Sequence, residues 1–247
     1  MPVTLIAAAT CGDAALAASQ VLGFSAYAAA LPTLLLDLSG GGPRPGLIPE
    51  LPLSPEDAPR VLRGLGASVA AFVRVGADRK EIEPLLPYAN AVVITATRIP
   101  AGLAESFALY RSLTELRVEG RSGRVIEPWL LPVGWSSTKL PMVRLRDWQR
   151  DLAKLGQDDL RCLPLILPWA SLGAVGMADP ARLQAVGARL LHGLAAVAAG
   201  REPARPERGL EDGDPWPTPP APVAPPEPPL RLAVAGLRPR LRLVHGA

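Results

Sequence analysis

The sequence predicts an α/β domain, a mostly parallel sheet with helices on both faces, followed by a proline-rich extended C-terminal tail. Short runs rich in Val, Ile and Leu alternate with longer segments of helical periodicity, the pattern of strands buried on both faces by crossover helices. Hydrophobic residues make up 49% of the 247, enough to fill a core. Much of an excess of proline, 29 residues in all, falls between Pro203 and Pro229, where no packed element survives it. The chain therefore divides into a folded body (1–200), a proline-rich linker (201–229) and a basic, apolar terminal segment (230–247).

Six runs are the predicted strands: 3–9, 33–38, 68–75, 91–96, 125–133 and 162–167. Pro128 and Pro132 weaken the fifth, because an internal strand needs its N–H donors. The second run passes into a long loop over 38–55, holding Gly40, Gly41, Gly42 and five prolines, at the carboxyl end of the strand. In open α/β sheets that edge is where ligands bind.

Leu103, Phe107, Tyr110 and Leu113 fall at helical spacing, as do Leu183, Val186, Leu190, Leu194 and Val197. The second of these helices is punctuated at both ends: Asp179 can cap it, Pro180 suits its first turn and Gly200 can close it. His192 shares its polar side with Arg189, a solvated face rather than a ligand position. Residues 14–36 are uncharged and long enough to span a bilayer. However, Pro32, the alanine-rich run, Asp37 directly after it and the lack of flanking cations favour a buried helix followed by a buried strand. Residues 1–43 hold no Lys or Arg, so the cationic start of a secretory signal is missing.

Two cysteines, Cys11 and Cys162, are too few and too far apart for a disulfide framework or metal site, and a cytoplasmic location fits. The formal charge is +3, but Arg231, Arg238, Arg240 and Arg242 lie in a terminal segment without acids, and setting them aside leaves the remainder slightly negative. Direct nucleic-acid binding by the body is disfavoured on that balance.

Read in order, four stretches over about residues 2–200 resemble the MinD/ParA branch of P-loop ATPases, which carries a P-loop NTPase-like three-layer fold. The run Val3 to Thr10, followed by Gly12, Asp13, Ala14, Ala15 and Leu16, is similar to the family's first strand, phosphate loop and helix. The run Leu34, Leu35, Leu36, Asp37, Leu38 resembles its second strand. The run from Tyr88 to Thr97 with the helix over 101–116 resembles the strand and helix after the hydrolysis switch. The run Leu165 to Trp169 with the long helix beyond it resembles the closing strand and its run-out.

The resemblance breaks where the chemistry lies. Such an ATPase needs loop N–H groups to cradle phosphates, a lysine for the outer phosphates and a hydroxyl for Mg²⁺. Here Asp13 stands where the lysine is expected and Ala14 where the hydroxyl is expected. An anion beside a triphosphate turns an attraction of several kcal/mol into a repulsion of similar size. Asp13 suits a helix N-cap better than a Mg²⁺ ligand. Ser39 replaces a second carboxylate after Asp37, Arg74 and Val75 end the strand where a metal-coordinating Asp is expected, and Gly134 and Trp135 stand where an adenine-reading Asn is usual. Gly12, Asp13, Ala14 and Asp37 thus mark a vestigial pocket, with no catalytic residue, cofactor or metal expected. Asp37 reads as a loop-capping group. Trp135 and Trp169 either fill the former adenine space or are ordinary core or surface tryptophans.

In the terminal segment, Leu230, Leu232 and Val234 alternate with Arg231, Ala233 and Ala235, and the alternation resumes at Arg240, Leu241, Arg242 and Leu243. Period two with Pro239 inside argues for an extended peptide rather than an amphipathic membrane helix. On a long tether it suits adding to a sheet edge, on a protein partner or on its own body. The resemblance implies a homodimer or a heterodimer with a related ATPase, and membrane association only indirectly, at the inner face through partners. The expected function is a pseudo-ATPase scaffold. The alternatives are an active ATPase with an atypical loop completed by a lysine from another chain, Lys80, Lys139 and Lys154 being the only lysines, and an unrelated α/β enzyme or small-molecule binder.

Overall fold

The computed structural model describes residues 3–8, 12–40, 46–97, 100–133, 160–169 and 172–203. In chain order these form β1 (Val3–Ala8), α1 (Gly12–Ala28), β2 (Thr33–Asp37), β3 (Glu50–Pro52), α2 (Ala58–Gly64), β4 (Ala70–Val75) and α3 (Arg79–Ile82). A 3₁₀ turn (Glu83–Tyr88) leads to β5 (Ala91–Thr97), α4 (Pro100–Thr114), β6 (Pro128–Val133), α5 (Leu172–Gly176) and α6 (Pro180–Ala198). The six strands make one all-parallel sheet in the order β3-β2-β4-β1-β5-β6.

Alternation along each strand sorts the core into two layers. Leu5, Val73, Val92 and Ile94 meet Leu62, Leu86, Leu103 and Leu113 on one face. Ile6, Leu35, Phe72 and Val93 meet α1, α5 and α6 on the other. The predicted stripes are in place: Leu103, Tyr110 and Leu113 are buried on α4, and Leu183, Val186, Leu190 and Leu194 on α6. The Asp179 side chain accepts from the Ala181 amide, Gly200 takes φ +68°, and His192 is exposed.

Helix α1 is buried almost all round, because the sheet covers one side and α6 another. Its alanines permit close approach, and Gly187 on α6 permits it further: a Cβ there would stand 1.8 Å from Ser25 Oγ and 2.8 Å from the Val21 carbonyl oxygen. No helix among the described residues is long and apolar enough to cross a membrane.

Three expectations change. The loop over 38–55 contains a short strand, β3, which pairs with β2 through Leu35↔Glu50, Leu36↔Leu51 and Asp37↔Pro52. Both prolines of β6 sit inside a regular strand. The Leu130 amide donates away from β5, to the Arg161 carbonyl at 2.8 Å, so residues 128 and 132, in phase with it, need no donor toward β5. The run 162–167 is reduced to two isolated bridges, Leu130↔Cys162 and Val133↔Leu167; the Leu163 and Leu167 amides donate to β6, so Pro164, out of phase with them, removes a donor from the outer side of the run.

Prolines thus limit both sides of the sheet. At β3 the Leu53 amide turns inward to the Asp37 carbonyl, so the outward-facing amide position in phase with Glu50 is Pro52, which has no N–H. At the other end of the domain, α6 returns the chain to the amino edge of the sheet. There Asn90, Trp129, Arg124, Arg161, Gly200 and Arg201 line a cavity of about 340 Å³. Asn90 accepts from the Val3 amide, Arg124 donates to the Ala199 carbonyl, and Pro203 is buried.

Candidate functional site

The carboxyl ends of β1, β2 and β4 meet the first turn of α1, which is where the sequence places the vestigial pocket. Gly12 and Asp13 are exposed at the start of α1 and Ala14 is buried behind them. Asp13 stands one residue inside the helix rather than at its N-cap, and its charge complements the positive end of the helix dipole there. Thr10 and Cys11 lie outside the described residues, as do Trp135, Lys139, Lys154 and the terminal segment with Leu230, Arg231, Leu232, Val234, Arg240, Leu241, Arg242 and Leu243.

Asp37 caps the turn after β2: its Oδ1 accepts from the Ser39 amide at 2.8 Å and from the Ser39 hydroxyl at 2.7 Å. Its other oxygen has a larger task. In the parallel register Asp37 pairs with Arg74, and both point to the α1 face, two residues beyond Leu35 and Phe72 of that layer. Arg74 Nη2 lies 2.6 Å from Asp37 Oδ2 and 3.1 Å from Glu50 Oε2, while Nη1 donates to Ser39 Oγ at 2.6 Å. Glu50 in turn accepts from the Ser19 hydroxyl of α1 at 2.6 Å. Arg74, Asp37 and Glu50 are 2%, 4% and 8% exposed. Three charges that would be costly alone are buried as one hydrogen-bonded group.

This group ties four elements together, and Gln20 adds a second clasp on the same loop. Its amide donates to the Ile48 carbonyl and accepts from the Ile48 amide, each at 2.9 Å. The connection between β2 and β3 is therefore held to α1 at Ile48 and to β4 at Ser39. Chemically the corner supplies no free carboxylate pair. A divalent cation would need the oxygens that the guanidinium already holds.

The remaining candidates lie elsewhere. Trp169 is buried in the layer with α5 and α6, with the Arg182 guanidinium 5.9 Å from its ring centre. Cys162 is half-buried beside β6, and desolvation pushes its thiol up to about 12. The Lys80 amide donates to the Asp78 cap of α3. Among the described residues no group of three or more His, Cys, Asp or Glu is placed to hold a metal ion.

Sequence reasoning saw Arg74 only as a departure and missed Glu50 and Ser19. The available signal was a lone arginine inside an apolar strand, which demands buried carboxylates nearby.

No family model matches the chain, and no curated protein matches it. Solved structures do. A ParA family ATPase from Chlorobium tepidum TLS is 12% identical, over 79% of this chain and 97% of that one, with a TM-score of 0.49. A chain of the MinC:MinD cell division protein complex of Aquifex aeolicus is 11% identical, over 77% and 96%, with a TM-score of 0.52. The all-parallel order of the sheet, its helices on both faces and the likeness to MinD agree, and the chain has the MinD/ParA-type P-loop NTPase-like α/β fold.

Proposed function

We propose that the chain is a non-hydrolysing MinD/ParA-like pseudo-ATPase, a scaffold or positioning and assembly factor for a bacterial envelope or secretion machine such as a pilus, cellulose or division apparatus. The observation that carries this reading is Arg74. At the corner where the resemblance leads one to expect a metal-coordinating carboxylate stands a cation, and it consumes the carboxylate that remains. The residues present do not fit a magnesium-bound nucleotide. A second cation beside Arg74 would meet repulsion, and Asp13 supplies a negative charge where outer phosphates need a positive one.

Such a body works by contact. The terminal segment supplies one contact, and the limited sheet edges argue that it adds to a partner rather than to its own sheet. A second contact is self-pairing or pairing with a related ATPase. The structural neighbour is itself part of a protein complex, that of MinC and MinD.

The test is binding of labelled ATP to the full chain with and without Mg²⁺. The expected result is no saturable binding below about 1 mM, an affinity weaker than about −4 kcal/mol. Micromolar affinity with turnover abolished by Asp37→Ala would overturn the reading in favour of an active ATPase.

A further inference from the structure

We infer that the corner formed by Asp37, Glu50 and Ser39 is a divalent-cation site whose resident cation is the Arg74 guanidinium. The domain thereby keeps one conformation with no ligand bound. The inference rests on the geometry of the corner, and it gives the proposed scaffold its regulation, which is constitutive assembly.

Asp37 Oδ2 and Glu50 Oε2 converge on one nitrogen, Arg74 Nη2, at 2.6 and 3.1 Å, and Ser39 Oγ reaches the neighbouring nitrogen at 2.6 Å. Oxygen donors gathered on one cationic centre are what Mg²⁺ or Ca²⁺ requires, at about 2.0–2.6 Å once the larger guanidinium is gone. The oxygens come from two parts of the chain, β2 with its turn and the edge strand β3, and Ser19 of α1 steadies Glu50 by donating to its Oε1. An external cation here would let its concentration decide whether the loop between β2 and β3 docks. A covalently attached one cannot dissociate, so the loop is held at Ser39 and Ile48 in every molecule.

Removing the guanidinium leaves two buried carboxylates facing each other, a state that a divalent ion would relieve. The experiment compares thermal midpoints of the full-length wild type, Arg74→Ala, Arg74→Gln and Arg74→Ala/Glu50→Gln in EDTA and in millimolar Mg²⁺, Mn²⁺ or Ca²⁺. The wild type should not respond. Arg74→Ala and Arg74→Gln should melt lower in EDTA and regain about 5 °C or more with at least one ion, and Arg74→Ala/Glu50→Gln should lose most of that gain. Three results overturn the inference: a folded Arg74→Ala that ignores all three ions, an equal gain in Arg74→Ala/Glu50→Gln, or failure of both single variants to fold with or without ion. ATP binding by the wild type would overturn the pseudo-ATPase reading alone, and an unresponsive Arg74→Ala would overturn this inference alone.

Discussion

Arg74 and Asp37 are register partners on β4 and β2, and their side chains close a 2.6 Å ion pair on the face covered by α1. Both are buried, so breaking the pair from one side leaves an uncompensated charge. Arg74→Met should cost about 3–5 kcal/mol in urea unfolding. Adding Asp37→Asn and Glu50→Gln to Arg74→Met should return at least half of that loss, because the orphaned charges go too. A triple variant less stable than Arg74→Met would contradict this account of the group.

Contact between α1 and α6 makes a second prediction with a built-in control. Gly187→Ala should destabilise by about 1–3 kcal/mol, since its Cβ has no room beside Ser25. Gly173→Ala, on α5 with nothing within 4 Å of its Cβ, should be neutral or stabilising by up to about 1 kcal/mol. Equal thermal midpoints for the two variants would refute the close crossing.

Burial of Cys162 predicts chemical inertness. With the thiol pushed up to about 12, about one molecule in 10⁴ carries thiolate at pH 8. In a Cys11→Ser chain at pH 8, iodoacetamide labelling of the native protein should run about 1,000-fold slower than in urea. Since the folded value is raised above the unfolded one of about 8.5, this thiol's contribution to stability is complete below about pH 8.5. It is lost progressively as pH climbs toward 12. Labelling at similar rates in both states would show the site open to solvent.

Removal of residues 204–247 should shift the melting midpoint of the body by no more than about 2 °C, because among the described residues neither side of the sheet offers an open run of donors for an added strand. A loss above about 5 °C would place the tail on its own domain and undo the partner reading.

Strands buried on both faces were legible because their apolar runs are local facts, and α6 was legible from its stripe with Asp179 and Gly200 at its ends. What escaped the sequence depended on long-range pairing. β3 is three residues long within a stretch rich in Gly and Pro, and its strand character comes only from the β2 edge beside it. The prolines of β6 looked like objections until the direction of the Leu130 amide showed that their missing donors would have pointed away from β5. The candidate site divided in the same way. Asp37 and Asp13 could be picked out by position along the chain, but Arg74 finds Glu50 across 24 residues and Ser39 across 35, through a sheet register that no local pattern encodes.

The return of α6 to the edge where β5 begins fixes a polarity. Asp13 opens α1 at one pole of the domain and Pro203 lies at the other, and α1 itself is about 25 Å long for its 17 residues. The chain beyond Pro203 thus leaves the body at the far end from the Asp13 face. A contact made on the Asp13 face and the point where the tail departs therefore do not share the same ground.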